Sequence, residues 1–144
     1  MPMIDVTVPE STFSAEAESV LLSKLTECLL KWEKVTGNKL ATANTGAYLH
    51  CLPKHRVTAG GQPDAVVRID VLTPPGILSQ EQRTGFTAEA TEIVGQVSGD
   101  PNLAKRTWVL MSETVDGGWG IAGYAFTLEA IAAAIKKAAL AAQN

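Results

Sequence analysis

Residues 4–9, Ile-Asp-Val-Thr-Val-Pro, return 65 positions later as residues 69–74, Ile-Asp-Val-Leu-Thr-Pro. A repeat this long indicates one supersecondary unit that is used twice. Further matches follow in the same order, at an offset of 65 and then of 62: Ser14 on Ser79, Glu16 on Glu81, Ala47-Tyr48-Leu49 on Val109-Leu110-Met111, and Gly61 on Gly123.

The first unit has the pattern strand, helix, strand. Residues 2–8 are rich in β-formers, and residues 45–52 have the same character. Between them, Ser14 offers an N-cap for a helix that we expect to run to about Val35, before Gly37. The apolar side chains of this helix recur at helical spacing: Val20, Leu21, Leu25, Cys28, Leu29 and Trp32.

The second unit repeats the pattern. Residues 66–72 and 107–112 predict strands, and Ser79 with Gln82 predicts a capping box for the intervening helix. A last, alanine-rich helix is expected over about 127–142. Right-handed crossovers place both long helices on one face of a four-stranded sheet. We therefore expect an α+β fold, one domain over 1–144, built of tandem β-α-β units at about 2–61 and 66–123 plus a C-terminal helix.

The composition narrows the function. The 144 residues are 46% hydrophobic, so they can build a core, and the net charge of -3 gives no basic field for nucleic acid or anionic lipid. No apolar run is long enough for a membrane span, and no secretion signal is recognisable. We expect a cytoplasmic protein in which Cys28 and Cys51 are buried thiols.

Both faces of the predicted sheet carry apolar residues, which is typical of sheets that are covered on both sides. A chain this short has little left to cover the face opposite the helices. We therefore expect self-association through that face.

Pro2 stands directly behind the initiator methionine. Aminopeptidases usually remove a methionine that precedes a small residue, and the chain would then begin with a secondary amine. An α-amino group titrates near ~7.7–8.0, and an apolar pocket lowers that value, so the amine could serve as a base near neutral pH. The alternative is an ordinary Met-Pro start in which a retained Met1 caps this nitrogen.

Pro2 at the start of a strand, the duplicated unit and the segment 117–123, Gly-Gly-Trp-Gly-Ile-Ala-Gly, together resemble the tautomerase superfamily. The likeness is strongest to 4-oxalocrotonate tautomerase and its fused, double-length relatives. Residues 57–61 resemble the same hairpin without its aromatic residue. The resemblance covers Pro2 to about Gly123. It implies a cofactor-independent homotrimer in which Pro2 is the general base or acid of an isomerase that acts on a small 2-oxo or 2-hydroxyenoate acid.

The other functional residues of this family are not at their usual places. The arginine of the first turn would fall within 10–12, Glu-Ser-Thr, and the strand arginine would fall on Gly46 or Trp108. The dehalogenase and hydratase branch has two arginines where this chain has 73–77, Thr-Pro-Pro-Gly-Ile. Hydration and dehalogenation are therefore disfavoured.

Other residues must then hold the substrate. Arg106 and Arg56 are candidates for its carboxylate, because a guanidinium bonds both oxygens, although an ordinary structural ion pair is the competing role. Trp108 shares a predicted strand face with Arg106, and Trp119 is expected to wall the pocket. Tyr48 and His50 alternate on one face of the second strand and could polarise a carbonyl. His50, Cys51 and His55 make an incomplete ligand set, so no metal is expected.

Two other functions stay open. The same proline could form an imine with a 2-oxo acid and support decarboxylation, or serve a hydratase. Because the family's arginines are missing, the chain could instead be a non-catalytic trimeric module that binds partners or acts as a scaffold.

Overall fold

Strands and helices alternate along the chain, and the computed structural model describes residues 1–143. In chain order the elements are β1 (Met3–Pro9), α1 (Ala15–Trp32), α2 (Lys39–Ala43), β2 (Gly46–Leu52), β3 (Thr58–Ala59), β4 (Gln62–Pro63), β5 (Val67–Thr73), α3 (Gln80–Ser98), α4 (Pro101–Ala104), β6 (Thr107–Glu113), β7 (Trp119–Ile121), β8 (Tyr124–Phe126) and α5 (Leu128–Ala141). The predicted α+β class, with a four-stranded sheet and a C-terminal helix, is confirmed.

The central sheet has the order β2-β1-β5-β6, with β1 parallel to β2, β5 parallel to β6, and β1 antiparallel to β5. Asp5 lies opposite Asp70 at the middle of the antiparallel pair. The neighbouring register pairs are crossed, with Ile4 opposite Val71 and Val6 opposite Ile69. A local two-fold axis through the Asp5–Asp70 pair produces this arrangement, and it relates the residues that the sequence repeat matched.

The core lies between the sheet and the two long helices. Alternate residues of β1 and β5 point to α1 and α3 and are almost fully buried, as the period of two in a strand requires. These residues are Ile4, Val6, Val8, Val67, Ile69 and Val71. Each long helix packs a row of apolar side chains at helical spacing against these strand residues. The row consists of Leu21, Leu25 and Leu29 in α1 and of Phe86, Ala90 and Val94 in α3.

The helix caps follow the sequence. The Ser14 side chain accepts a hydrogen bond from the Ala17 amide, and Ser79 forms the predicted capping box with Gln82. Helix α1 ends at Trp32 rather than near Val35, because Lys34 adopts a left-handed conformation with φ 60°. Helix α4 begins shortly after α3, at Pro101, and the Asp100 side chain caps it.

Two hairpins lie outside the central sheet. Strands β3 and β4 are joined by Gly60-Gly61, and β7 and β8 by Ala122-Gly123, 62 positions later. All four turn residues have positive φ, which is the type I′ geometry that fits the twist of a two-residue hairpin. The resemblance between residues 57–61 and the later hairpin therefore has a structural counterpart.

The cysteines differ from each other. Cys28 is buried in α1 as predicted, but the prediction for Cys51 was wrong, because Cys51 is exposed near the end of β2. This strand lies at the edge of the sheet, and the Cys51 thiol donates a 3.5 Å hydrogen bond to the carboxylate of Glu18 in α1. Within the described residues, no helix combines the length and apolarity needed to cross a membrane.

Helices α1 and α3 pack closely where the Trp32 ring lies over Gly85. A Cβ atom added at Gly85 would come within 2.1 Å of the ring, and the ring is fixed by a 2.9 Å hydrogen bond from its Nε1 to Glu89 Oε2. We predict that Gly85→Ala lowers the free energy of unfolding by about 1–2 kcal/mol, despite alanine's better helix propensity. Urea unfolding checks this. Thr87→Ala, at an exposed site of α3, is the control and should change stability by less than ~0.5 kcal/mol.

Candidate active site

The amino end of the chain meets the second hairpin because of the strand directions. Strand β1 runs antiparallel to β5, and β6 runs parallel to β5. The first residues of β1 and the last residues of β6 therefore lie at the same end of the sheet. The segment after β6 leaves the sheet at this end and forms β7 and β8. Trp119 in β7 therefore packs with Met1, the residue before Pro2.

Met1, Trp119 and Ile131 form a second apolar cluster, separate from the main core. Met1 is 6% exposed and Trp119 5% exposed, and Pro2 is fully buried. Met3, Ile121, Phe126 and Ile135 pack against the cluster. The Pro2 carbonyl accepts a hydrogen bond from the Gly46 amide at 3.1 Å, which fixes the beginning of β1. In this structure Met1 is present, so the Pro2 nitrogen is an amide and the Met1 side chain fills the space beside it.

Glu33 is the charged group of this region. Its side chain is 3% exposed, and its Oε2 lies 3.6 Å from the Met1 amine. The other oxygen, Oε1, is buried and has no hydrogen-bond partner within residues 1–143. Burial raises the pKa of the Glu33 carboxyl against the opposing effect of the Met1 amine, and burial likewise lowers the pKa of that amine. An acid and an amine thus share an apolar site, which is a typical arrangement of proton-transfer groups.

Helix α5 covers this region. Thr127 caps the helix, and its first amide, that of Leu128, donates a 2.7 Å hydrogen bond to the Asp116 carboxylate. Farther along, the Asn38 side chain donates a 3.0 Å hydrogen bond to the Ile135 carbonyl. These bonds hold the apolar side of α5, with Ile131 and Ile135, against Met1 and Trp119.

Tyr48, His50 and Trp108 lie on the open face of the sheet, away from the helices. Tyr48 lies opposite Asp5, and Trp108 lies opposite Arg68 on β5. His50 Nε2 is 2.6 Å from Asp5 Oδ1, so the imidazole is bound to a carboxylate. The side chains of Tyr48 and Trp108 are exposed, together with those of Leu72 and Leu110.

Arg56 and Arg106 lie at the other end of the sheet. Arg56 follows β2, and Arg106 precedes β6, whereas Pro2 precedes β1. By the strand register, Arg106 is level with Pro9, which is roughly 23 Å from Pro2 along β1. The Arg106 guanidinium donates a hydrogen bond to Asp64, so its charge has a partner. Within one chain, neither arginine reaches Pro2.

A groove of about 640 Å³ lies elsewhere, between α1 and α3. Lys31 in this groove donates a 2.6 Å hydrogen bond to Glu89, and Glu89 also accepts the bond from Trp32. Burial, with Glu89 nearby, raises the pKa of the Cys28 thiol to about 12, so the thiol is not a nucleophile at neutral pH. The groups of this groove hold the helices together and offer no reactive centre.

The sequence alone did not identify Glu33 or the two isoleucines of α5. Glu33 follows the last residue of α1, where a carboxylate is ordinarily solvated, and only its burial distinguishes it. A signal was present in α5, where Ile131 and Ile135 are four residues apart in an alanine-rich helix and so share one face.

Comparison with solved structures shows which fold this is. Native fused 4-OT matches with a TM-score of 0.75 at 19% sequence identity, over 90% of this chain and 98% of that chain. Pt0534 inactivated by 2-oxo-3-pentynoate gives a TM-score of 0.75 at 20% identity and the same coverage. Macrophage migration inhibitory factor of Toxoplasma gondii gives 0.70 at 11% identity, over 86% of this chain and 99% of that chain.

The sequence itself matches no protein-family model and no curated protein. The chain therefore shares a fold with fused 4-OT proteins, at a sequence identity too low to carry over an activity. Two further matching structures are of wild-type fused 4-OT proteins. One is an asymmetric trimer and the other is a symmetric trimer.

The raised pKa of Glu33 has a consequence for stability. In the folded chain with Met1, the pKa of the Glu33 carboxyl lies above its ordinary value of 4.5, so folding favours the protonated acid. The resulting contribution to the free energy of unfolding is present at low pH and is lost as the pH rises through the pKa of the folded state. We predict that the free energy of unfolding falls more between pH 4 and pH 7 in the wild type than in Glu33→Gln. Urea unfolding across this range measures it.

The chain for this measurement is made as a fusion cut directly before Met1. Glu16→Gln, an exposed acid at the other end of α1, is the control and should follow the wild type. A difference between wild type and Glu33→Gln that stays constant with pH would show that the carboxyl is not perturbed.

Proposed function

We propose that the protein is a tautomerase, an isomerase that moves a proton within a small 2-oxo or 2-hydroxyenoate acid, with the Pro2 amine as general base once Met1 has been removed. The observation that carries this proposal is the burial of the amino end of β1 in an apolar cluster beside Trp119. The shared fold with fused 4-OT proteins supports it.

The surroundings suit a basic amine. The burial that lowers the pKa of the Met1 amine in this structure would act on a Pro2 amine that begins the chain at the same edge. In ketonisation, the neutral amine takes the proton from the 2-hydroxyl oxygen while the double-bond electrons move to C3, and the protonated amine then gives that proton to C3. This sequence balances its proton within one group, so we propose that no cofactor takes part.

We propose a homotrimer with its subunits packed through the open sheet face. Arg56 and Arg106 are distant from Pro2 in one chain, and a neighbouring subunit could supply one of them to hold the substrate carboxylate. Tyr48, His50 and Trp108 on that face are the remaining candidates for substrate contacts, and Trp119 would wall the pocket on the side of the proline. Fused 4-OT trimers support this assembly.

The enzymatic proposal is tested on Pro2. Processed protein should ketonise phenylenolpyruvate or 2-hydroxymuconate, and Pro2→Ala should lose about 10²–10⁴-fold in kcat/KM, because general acid–base catalysis contributes about that much. 2-Oxo-3-pentynoate, which inactivates Pt0534, should add the mass of one reagent molecule at the amino end of the wild type only. Equal, near-background rates for wild type and Pro2→Ala would exclude catalysis by this amine.

The assembly is tested by a charge on the open face. Leu110→Asp places a second acid beside Asp70, which lies opposite Leu110, and should dissociate the trimer, because an unpaired charge in an interface is costly. Leu140→Asp, on α5, is the matched control, since Leu140 is 55% exposed and Leu110 52%. Sedimentation velocity should show the trimer for wild type and Leu140→Asp and a smaller species for Leu110→Asp. A trimer that persists in Leu110→Asp would rule out this face as the interface.

The second candidate function is a non-catalytic module of the same fold. The burial of Met1 between Trp119 and Ile131 favours it, because a retained methionine would fill the site and cap the proline nitrogen. The intact mass of protein from its native source distinguishes the two functions. A chain that lacks Met1 supports the tautomerase, and a chain that keeps Met1 supports the module.

A further inference from the structure

Removal of Met1 leaves Glu33 without its partner. The Met1 amine is the cation that faces the buried carboxylate in the described chain, and Glu33 Oε1 already lacks a hydrogen bond. A buried carboxylate is not stable alone, so a proton, a cation or a hydrogen-bond donor must take the place of the Met1 amine. After processing, the nearest new cation along the chain is the Pro2 amine, one residue away.

At the opposite end of the sheet from Met1, the corresponding region of the repeat has no covering helix in the described part of the chain. A groove of about 400 Å³ is open there, and its lining includes Lys54, Ser98 and Asp100. In the sequence repeat, Lys54 corresponds to Asp116 and Asp100 to Asn38 at an offset of 62. Ser98 corresponds to Glu33 at an offset of 65. The duplicated fold therefore forms a recess at each end.

At the amino end, the counterparts of these groove residues hold α5 and Met1. Asp116 and Asn38 make the two hydrogen bonds that fix α5, and Glu33 faces the Met1 amine. The α5 helix thus covers the recess, and the Met1 side chain fills the space beneath the helix. The residues that carry the resemblance to the tautomerase superfamily end at about Gly123, before α5 begins at Leu128.

We propose, on the basis of the tautomerase function above, that the space under α5 becomes a binding cavity when Met1 is removed, that it takes the apolar end of a 2-oxo or 2-hydroxyenoate monocarboxylate, and that Glu33 pairs there with the Pro2 amine. The walls are Trp119, Ile131 and Ile135, with Glu33 as the acid. The space released is that of one methionine residue, which suits an aromatic ring or a branched alkyl group.

The charge of the cavity selects its ligand. A second carboxylate at the apolar end of the substrate would enter a space lined by apolar side chains next to the acidic Glu33, and its desolvation would have no compensation. A dicarboxylate such as 2-hydroxymuconate is therefore disfavoured against phenylenolpyruvate, whose far end is a ring. The single carboxylate of the monoacid has to lie outside the cavity, toward the sheet edge.

Glu33 acts on the reaction through the amine. An adjacent carboxylate favours the protonated form of Pro2 and raises its basicity, so the rate should increase with pH through the pKa of the amine. Removal of the carboxylate lowers that pKa. Glu33 is therefore a positioning residue that sets the pH range in which Pro2 works.

The experiment uses one preparation in two forms. A fusion cut directly before Met1 gives the unprocessed chain, and methionine aminopeptidase then gives the chain that begins at Pro2. Calorimetry with phenylpyruvate measures binding independently of turnover. We expect the processed chain to bind it at least roughly tenfold more tightly than the unprocessed chain, because the methionine side chain no longer occupies the cavity. Ile135→Trp, which narrows the cavity from its partly buried wall, should weaken this binding and raise KM with little change in kcat.

The role of Glu33 is measured by pH. The rising limb of kcat/KM, and the pH dependence of labelling of the Pro2 amine by 2-oxo-3-pentynoate, should both move to lower pH by about one pH unit in Glu33→Gln. Glu16→Gln, exposed at the far end of α1, should match the wild type. The wild type should prefer phenylenolpyruvate to 2-hydroxymuconate.

The outcomes separate the two proposals. Active protein that binds phenylpyruvate equally in both forms, prefers the dicarboxylate and is unaffected in its pH profile by Glu33→Gln would overturn the cavity and leave the tautomerase standing. Inactive processed protein that still binds phenylpyruvate only after Met1 is removed, with labelling shifted in Glu33→Gln, would support the cavity and end the tautomerase proposal.

Discussion

The antiparallel pairing of β1 with β5 is the constraint on which the rest of the molecule depends. Each β-α-β unit alone has a two-stranded parallel sheet and one long helix, which leaves a large apolar surface unpaired. Pairing the units through Asp5 and Asp70 places both helices on one face and merges their apolar stripes into one core. The same pairing decides which strand termini lie together. The beginning of β1 and the end of β6 lie at one end of the sheet, and the end of β2 and the beginning of β6 lie at the other. The positions of Met1, Trp119, Arg56 and Arg106 follow from that alone.

Local signals in the sequence were sufficient for the four strands of the central sheet, the three long helices and their order, but not for the short helices α2 and α4. Strand periodicity, the serine N-caps and the paired turn residues are each determined by neighbours within a few positions, and the repeat offsets of 65 and 62 reappear in the register, where Met3 faces Gly46 and Arg68 faces Trp108. Cys51 was mispredicted because its burial depends on how far α1 extends across an edge strand. The end of α1 was placed three residues late because the left-handed Lys34 has no propensity signal of its own.

Of the candidate site, the sequence pointed to Pro2 and Trp119, which are both buried at the amino end of the sheet, and the chemistry at Pro2 stays a prediction. Glu33 and Arg106 show why the remainder was not predictable. An acid after a helix and an arginine before a strand look alike in sequence, as charges at element ends. In the fold, one has its carboxylate buried against the amino end of the chain, and the other lies on the surface bound to Asp64. Burial of a charge is a property of tertiary packing, and no spacing rule encodes it.

The two ends of the duplicated fold are equivalent in backbone and different in chemistry. At the position of Met1 the second unit has Val66, and at the position of Trp119 the first unit has Val57, both buried. The chain continues through Val66 as an ordinary amide, so this end can never present a free amine, and the counterpart of Glu33 is the uncharged Ser98. In the proposed tautomerase, a terminal amine can therefore lie at one end of the fold only. Glu33, Trp119 and α5 all lie at that end, so the groups that would surround a terminal amine are placed where the chain can supply one.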